Sequence, residues 1–263
     1  MAAIPVTTGL QLLLDARTIT GLADGDKVSA WADQSGQGNN GAQATSANQP
    51  TYKTNIFGTN PAVRIVDNTD FVNGSFSAWG THAGITVISC VNNTPASQVV
   101  NSRFFTTASG SLWDHQSHLL YNNSTAGQLY IYQNGALIRT AEGPVLGCSG
   151  LSRPTVIGFA SDATKVDFLC NGIIGVNQTH TGGLPASPTL WSTGFIKAGA
   201  AVPSDGSSFI ALQDLHFVAV YSSRLSAANI QLVSNWMLTE LGVITAAAGG
   251  VQTARGMNGG MRS

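Results

Sequence analysis

The chain has 263 residues, of which 43% are apolar and only 10% charged, with a formal net charge of −1; ordinary soluble domains are roughly 25% charged. It is therefore a folded chain with room for a substantial core, covered by Asn, Gln, Ser, Thr and Gly in place of charge. The balance excludes nucleic-acid binding, which needs Lys and Arg gathered on one face, and the absence of any run near about 18 apolar residues excludes a membrane-spanning helix.

The opening residues, Met1 to Gly9, lack a basic segment followed by an apolar one, so no signal peptide is expected and synthesis in a cytoplasm follows. They are predicted to form an arm ahead of one domain over residues 10–242. Leu10-Gln-Leu-Leu-Leu14 reads as a strand, and Lys27-Val-Ser-Ala-Trp-Ala-Asp33 alternates, opposing Val28 and Ala30 to Lys27, Ser29 and Trp31. Strand-like runs follow at 61–66, 85–91, 103–105 and 128–133. Asn134-Gly135 then leads into a run at 136–140, a hairpin signal because a type I′ turn needs positive φ at both central residues. Runs at 155–157, 166–170 and 209–221 complete a pattern of strands without alternating helices. It predicts an all-β, antiparallel sandwich or barrel.

One helix is predicted late in the chain. Ser226 caps it, Ile230, Val233, Met237 and Leu241 share one face, and Gly242 stops it. Residues 178–208 are rich in Gly, Pro, Ser and Thr and read as a long loop insertion holding Trp191 and Phe195. The Gly-rich tail, 243–263, is expected to be disordered when free and to dock on a partner, with Arg255, Met257, Met261 and Arg262 as its contacts. Cys90, Cys148 and Cys170 are odd in number and widely spaced. That pattern argues against a disulfide framework or a CxxC metal site and predicts buried free thiols.

Gly36, Gly38 and Gly41 match G-x-G-x-x-G, the dinucleotide-binding fingerprint. That reading needs the glycines to open a helix, with an acid about 20 residues later for the ribose. Here Ala42-Gln-Ala-Thr-Ser-Ala-Asn-Gln-Pro50 has no apolar helical period, and residues 56–61 contain no acid. The glycines are predicted to form a tight connection between strands.

Leu12-Leu-Leu-Asp-Ala16, Leu22-Ala-Asp-Gly25, Val28-Ser-Ala-Trp-Ala-Asp-Gln-Ser-Gly-Gln-Gly-Asn39 and Asn60-Pro-Ala-Val-Arg-Ile-Val-Asp67 resemble, in order, the opening of concanavalin A-like lectin/glucanase jelly rolls of the laminin-G type. Tyr130-Ile-Tyr-Gln-Asn-Gly-Ala-Leu137 resembles that family's central hairpin, and residues 215–226 with the following helix resemble its closing strand and helix. The resemblance implies a two-sheet jelly-roll sandwich with one C-terminal helix. It also implies a calcium ion in some relatives, for which Asp67 and Asp70 are candidates here. Domains of this type recur in bacterial surface proteins and in phage virion proteins, as glycan binders or structural modules.

The catalytic E-x-D-x-x-E of the related glucanases is absent. The chain has only Glu142 and Glu240, far apart, whereas retaining hydrolysis needs two carboxylates about 5 Å apart. Asp67-Asn-Thr-Asp70 reads better as a turn than as an acid pair. No G-x-S-x-G occurs. His115 and His118 beside Asp114 point to opposite faces of any strand, a poor metal site. Sugar binding calls for flat aromatics with nearby acids or amides, and the candidates are Trp79, Trp113 with Asp114, and Trp191. Trp31 and Trp236 lie in periodic elements and are assigned to the core.

These readings lead to an expected non-catalytic virion protein of a tailed phage, a capsid-decorating or fibre-like subunit at the virion surface. Its expected partners are other virion proteins or further copies of itself, with surface glycans on its outer side and no nucleic acid or membrane. A free calcium-dependent lectin and a divergent glycan hydrolase are the alternatives.

Overall fold

A computed structural model describes residues 2–66, 69–79, 83–93, 102–108, 119–123, 128–133, 136–140, 154–175, 178–179, 187–193 and 213–244. Strands are numbered in chain order. The first sheet holds β1 (Leu10–Asp15), β4 (Thr51–Phe57), β5 (Asn60–Ile65), β7 (Ile85–Asn93), β12 (Thr155–Ser161), β13 (Lys165–Cys170) and β17 (Gln213–Tyr221). Two-residue strands β14 (Ile173–Ile174) and β15 (Gln178–Thr179) border β13. The second sheet runs β11 (Ala136–Thr140), β10 (Gln128–Gln133), β9 (Leu119–Asn123), β8 (Ser102–Ala108), β16 (Leu190–Ser192), β6 (Asn73–Ser75), β3 (Gly41–Ala42) and β2 (Ala30–Trp31). The described pairings are antiparallel, and one helix, α1 (Ala227–Glu240), follows β17. This is the all-β jelly-roll sandwich with a C-terminal helix that the sequence predicts.

The first sheet is apolar on both faces because each face is covered. Leu12, Leu14, Ile85, Val87, Leu215, Val218 and Val220 point between the sheets and meet Trp31, Phe105 and Trp191 from the second. Leu13, Ile88, Cys90, Phe217, Ala219 and Tyr221 point outward against Ile230, Val233, Met237 and Leu238 of α1. A register shift between Leu215 and Phe217 moves β17 from one alternation to the other. Each fully buried side chain of this size is worth roughly 1.5–3 kcal/mol. The helix begins where Ser226 Oγ accepts from Asn229 N (3.3 Å) and ends at Gly242, whose φ is +74°.

Polar anchors hold α1 to the sheet. Arg17 donates to the Glu240 carboxylate (2.8 Å) and to its carbonyl (3.1 Å), pairs with Asp15 (2.8 Å), and lies 4.7 Å over the Phe217 ring. Asn60 Nδ2 donates to the carbonyls of Phe57 and Leu241. The opening segment is not a free arm. Ile4 and Val6 are buried in the helix-side core, Tyr221 Oη donates to the Val6 carbonyl, and Trp236 Nε1 donates to the Ala2 carbonyl. Trp236 is accordingly half-buried at this seam.

Two further expectations are corrected. Leu190–Ser192, inside the predicted loop insertion, is an interior strand between β8 and β6. Cys170 is disulfide-bonded, whereas Cys90 is free and buried as expected. The rest of the 178–208 segment lies largely outside the described residues, as do 245–263 with Arg255, Met257, Met261 and Arg262.

Two predictions follow from the packing of the first sheet. A Cβ at Gly158 would overlap the Val87 carbonyl oxygen, so Gly158→Ala is expected to cost at least about 1–3 kcal/mol, read as a lower urea midpoint at unchanged m value. His216 is buried with Nδ1 2.9 Å from the Pro61 carbonyl and Nε2 unpartnered, and burial pulls its proton affinity below the ordinary histidine value of 6.5. The unfolded chain therefore takes up a proton that the folded chain refuses. Stability should fall as pH drops below about 6.5, and a Tm series from about pH 8 to pH 5 should show a slope that His216→Gln flattens.

Candidate functional site

The glycine-rich stretch after β2 is built around Asp33. Its carboxylate accepts from Leu13 N (2.9 Å), Ser35 N (2.8 Å), Ser35 Oγ (2.7 Å) and Asn39 N (3.0 Å). Asn39 then bridges outward, donating to the Gln11 carbonyl (2.7 Å) and accepting from Ser77 N (2.8 Å). Gly36 and Gly38 adopt φ of +86° and +74°, where a side chain is strained, and Gly41 enters a strand. The loop opens no helix, so the dinucleotide reading fails on geometry. The stretch ties β1 to the second sheet and leaves Gln37, Asn40 and Ser77 exposed at the rim.

The two described tryptophan candidates lie in the core. Trp191 is fully buried, with its ring across Gly41 and Gly74 and stacked 6.0 Å from Phe105. Trp79 is 5% exposed and meets Phe76 edge-on at 4.6 Å. Neither offers an open ring face to a sugar, because both rings are consumed by packing. Trp113, Asp114, His115 and His118 lie outside the described residues.

Every described acid has a structural partner. Arg64 pairs with Asp214 (2.7 Å), Arg224 with Asp162 and Asp167, and Lys53 with Asp24. Asp26 accepts from Ala23 N, and Asp70 from Val66 N (3.1 Å), which gives Asp70 a turn-closing role. Arg17 holds the Glu240 carboxyl below the usual carboxylate range against the opposing effect of burial, and hydrogen bonds from Thr164 and Lys165 do the same for Asp162. Among the described residues no group of three or more His, Cys, Asp or Glu could hold a metal. Asp67, the other calcium candidate, lies outside them, as does Glu142.

What remains open is a polar surface on the second sheet. Ala30, Ala42 and Asn73 align across β2, β3 and β6, with Ser75 two residues on, and all four are exposed. These four form a platform beside the exposed amides and hydroxyl of Gln37, Asn40 and Ser77, which precede β3 and follow β6. Such a surface can hydrogen-bond a neutral, hydroxyl-rich ligand, and among the described residues it carries no acid or base to perform chemistry on it. Sequence reasoning missed it because two- and three-residue strands carry no periodicity.

The fold class is that of the concanavalin A-like lectin sandwiches. Solved structures with the same fold include a botulinum neurotoxin serotype D ligand-binding domain in complex with N-acetylneuraminic acid (TM-score 0.59, 11% identity, 88% of this chain and 52% of that chain). A botulinum neurotoxin DC binding domain in complex with rat synaptotagmin II matches at TM-score 0.60 and 10% identity, over 87% of this chain and 52% of that one. The Trypanosoma rangeli sialidase matches at 0.59 and 15%, over 93% and 35%. This chain thus spans about half the length of the toxin chains and about a third of the sialidase. No family model matches the sequence, and no curated protein does.

Because Asp33 satisfies Leu13 N from across the sandwich, Asp33→Ala is expected to destabilise the fold by roughly 2–3 kcal/mol. Chemical denaturation measures it, and Asp33→Asn should recover part of the loss.

Proposed function

We propose that the chain is a non-catalytic, glycan-binding display domain on the exterior of a phage particle. The observation that carries the non-catalytic part is the commitment of the described carboxylates to arginines, lysine and backbone amides. The glycan part is supported by the lectin-like sandwich and by the neutral platform of Ala30, Ala42, Asn73 and Ser75. Toxin domains of this fold are in complex with N-acetylneuraminic acid in one structure and with rat synaptotagmin II in another, so sialylated glycans belong among the first ligands tested. The low charge of the chain fits a particle-bound role, in which contacts with neighbouring copies or other virion proteins rest on apolar loops and backbone hydrogen bonds.

A glycan array with the isolated chain, run with and without a chelator, tests this reading. Binding is expected to survive chelation and to fall at least tenfold in Ala42→Trp, which would crowd the platform. Loss of binding on chelation would favour the calcium-dependent lectin, and release of reducing sugar would favour the hydrolase. Mass spectrometry of purified particles tests the location, and absence of the chain there would rule out a virion role.

A further inference from the structure

β1 pairs with β17 and, among the described strands, with no other. In such a pair alternate residues turn both backbone groups to the same side. Leu12 and Leu14 turn theirs toward β17, which leaves those of Gln11 and Leu13 on the outer edge. An open row of donors and acceptors on an apolar strand is a template for another chain.

In this molecule the row is filled. Leu13 N donates to Asp33 Oδ1 (2.9 Å), and the Leu13 carbonyl accepts from Gln34 N (2.7 Å). The Gln11 carbonyl accepts from Asn39 Nδ2 (2.7 Å) and Ser35 Oγ (3.3 Å), and the Asp15 carbonyl from Trp31 Nε1 (3.2 Å). Residues 31–39 thus supply what a neighbouring strand would, with four side chains and one backbone N–H. Gly36 and Gly38, both at positive φ, turn the segment back so that Ser35 and Asn39 reach the same carbonyl.

The outer strand β4 is covered differently. Tyr52 N donates to the Asp26 carbonyl (2.8 Å), and the Tyr52 carbonyl accepts from Gly25 N (2.9 Å), so main chain meets main chain. Changing a side chain cannot lift that cover. On β1 it can.

We propose that residues 31–39 are an intramolecular stand-in for a strand, and that β1 beneath them is a latent interaction surface whose partner is β1 of a second copy of this chain. The edge is self-complementary. In an antiparallel pair about a two-fold axis, Leu13 N–H meets the Gln11 carbonyl of the other copy, and the same bond forms again across the axis. Those are the two groups that Asp33 and Asn39 hold in the single chain. Charge does not oppose the pairing, because Leu10, Gln11, Leu12, Leu13 and Leu14 are uncharged and Asp15 is committed to Arg17. With the cover in place, the first sheet cannot grow from chain to chain through β1. The inference is independent of glycan binding.

Residue-resolved amide hydrogen exchange of the unsubstituted chain reads the cover directly. Leu13 N–H has a carboxylate for its acceptor and should still exchange at least about a hundredfold more slowly than an unprotected amide. Exchange at the unprotected rate would overturn the proposal. Asp33→Ala/Asn39→Ala removes the holders of both edge groups. Light scattering should find its mass doubled relative to the unsubstituted chain, and Leu13 should regain protection as protein concentration rises. Gly158→Ala weakens the same sheet away from this edge and should keep the unsubstituted mass. A folded double variant of unchanged mass, growth beyond a doubled mass, or an equal gain in Gly158→Ala would each overturn the proposal. If the double variant does not fold, Asn39→Asp takes its place, since it keeps an acceptor for Ser77 N and loses the donor to Gln11.

Discussion

The indole of Trp191 lies across two glycines, Gly41 and Gly74, and the spacing of the two sheets depends on that contact. Register places Trp31, Gly41, Gly74 and Trp191 on one row of the second sheet, all facing inward. A Cβ at Gly41 would sit 2.5 Å from the Trp191 ring and one at Gly74 2.8 Å from it. Two large rings therefore fill the interior only because two positions between them carry no side chain. The same row sits beside the rim loop, so Asp33 and Asn39 hold the backbone that brings Gly41 under the ring. Core packing and the glycine-rich motif are one arrangement seen from two sides.

On the other side of the first sheet the logic is ionic. Arg17 connects Asp15 on β1, Glu240 at the end of α1 and the face of Phe217 on β17. Partly buried pairs of this kind gain from low dielectric but must offset desolvation, and several hydrogen bonds to one guanidinium provide that offset. With so few charges in the chain, placing them in such clusters leaves the described exposed residues of β2, β3 and β6 uncharged.

How much of this was legible in the residues varied with element length. β1, β7, β17 and α1 announce themselves through apolar runs, a helical period and the caps at Ser226 and Gly242. β2, β3, β6 and β16 do not, because two or three residues hold no period and their pairing is set by distant partners. Trp191 reads as a loop residue from its Gly, Pro and Ser surroundings; what places it in the core is the pair of glycines more than a hundred residues earlier. Cys170 was misread for a related reason, since spacing along the chain says nothing about which Cα atoms approach. The Asp33 stretch was legible as a landmark of the fold, and the platform beside it was not, because its residues are defined by what they lack.

The pairing of β1 with β17 has a consequence for synthesis. The first apolar strand finds its hydrogen-bond partner roughly 200 residues later, and at about 5–20 residues per second a nascent chain needs roughly 10–40 s to produce that partner. For that interval Leu10, Leu12, Leu13 and Leu14 have no β17 to cover them, and the row that Trp191 completes is missing its last member. The ribosome delivers β1, β5 and β7 long before the strand that unites them in the first sheet. Completion of the first sheet is therefore a late event, and a chain truncated before residue 213 would hold β1, β4–β5 and β7–β12–β13 with no strand to join them.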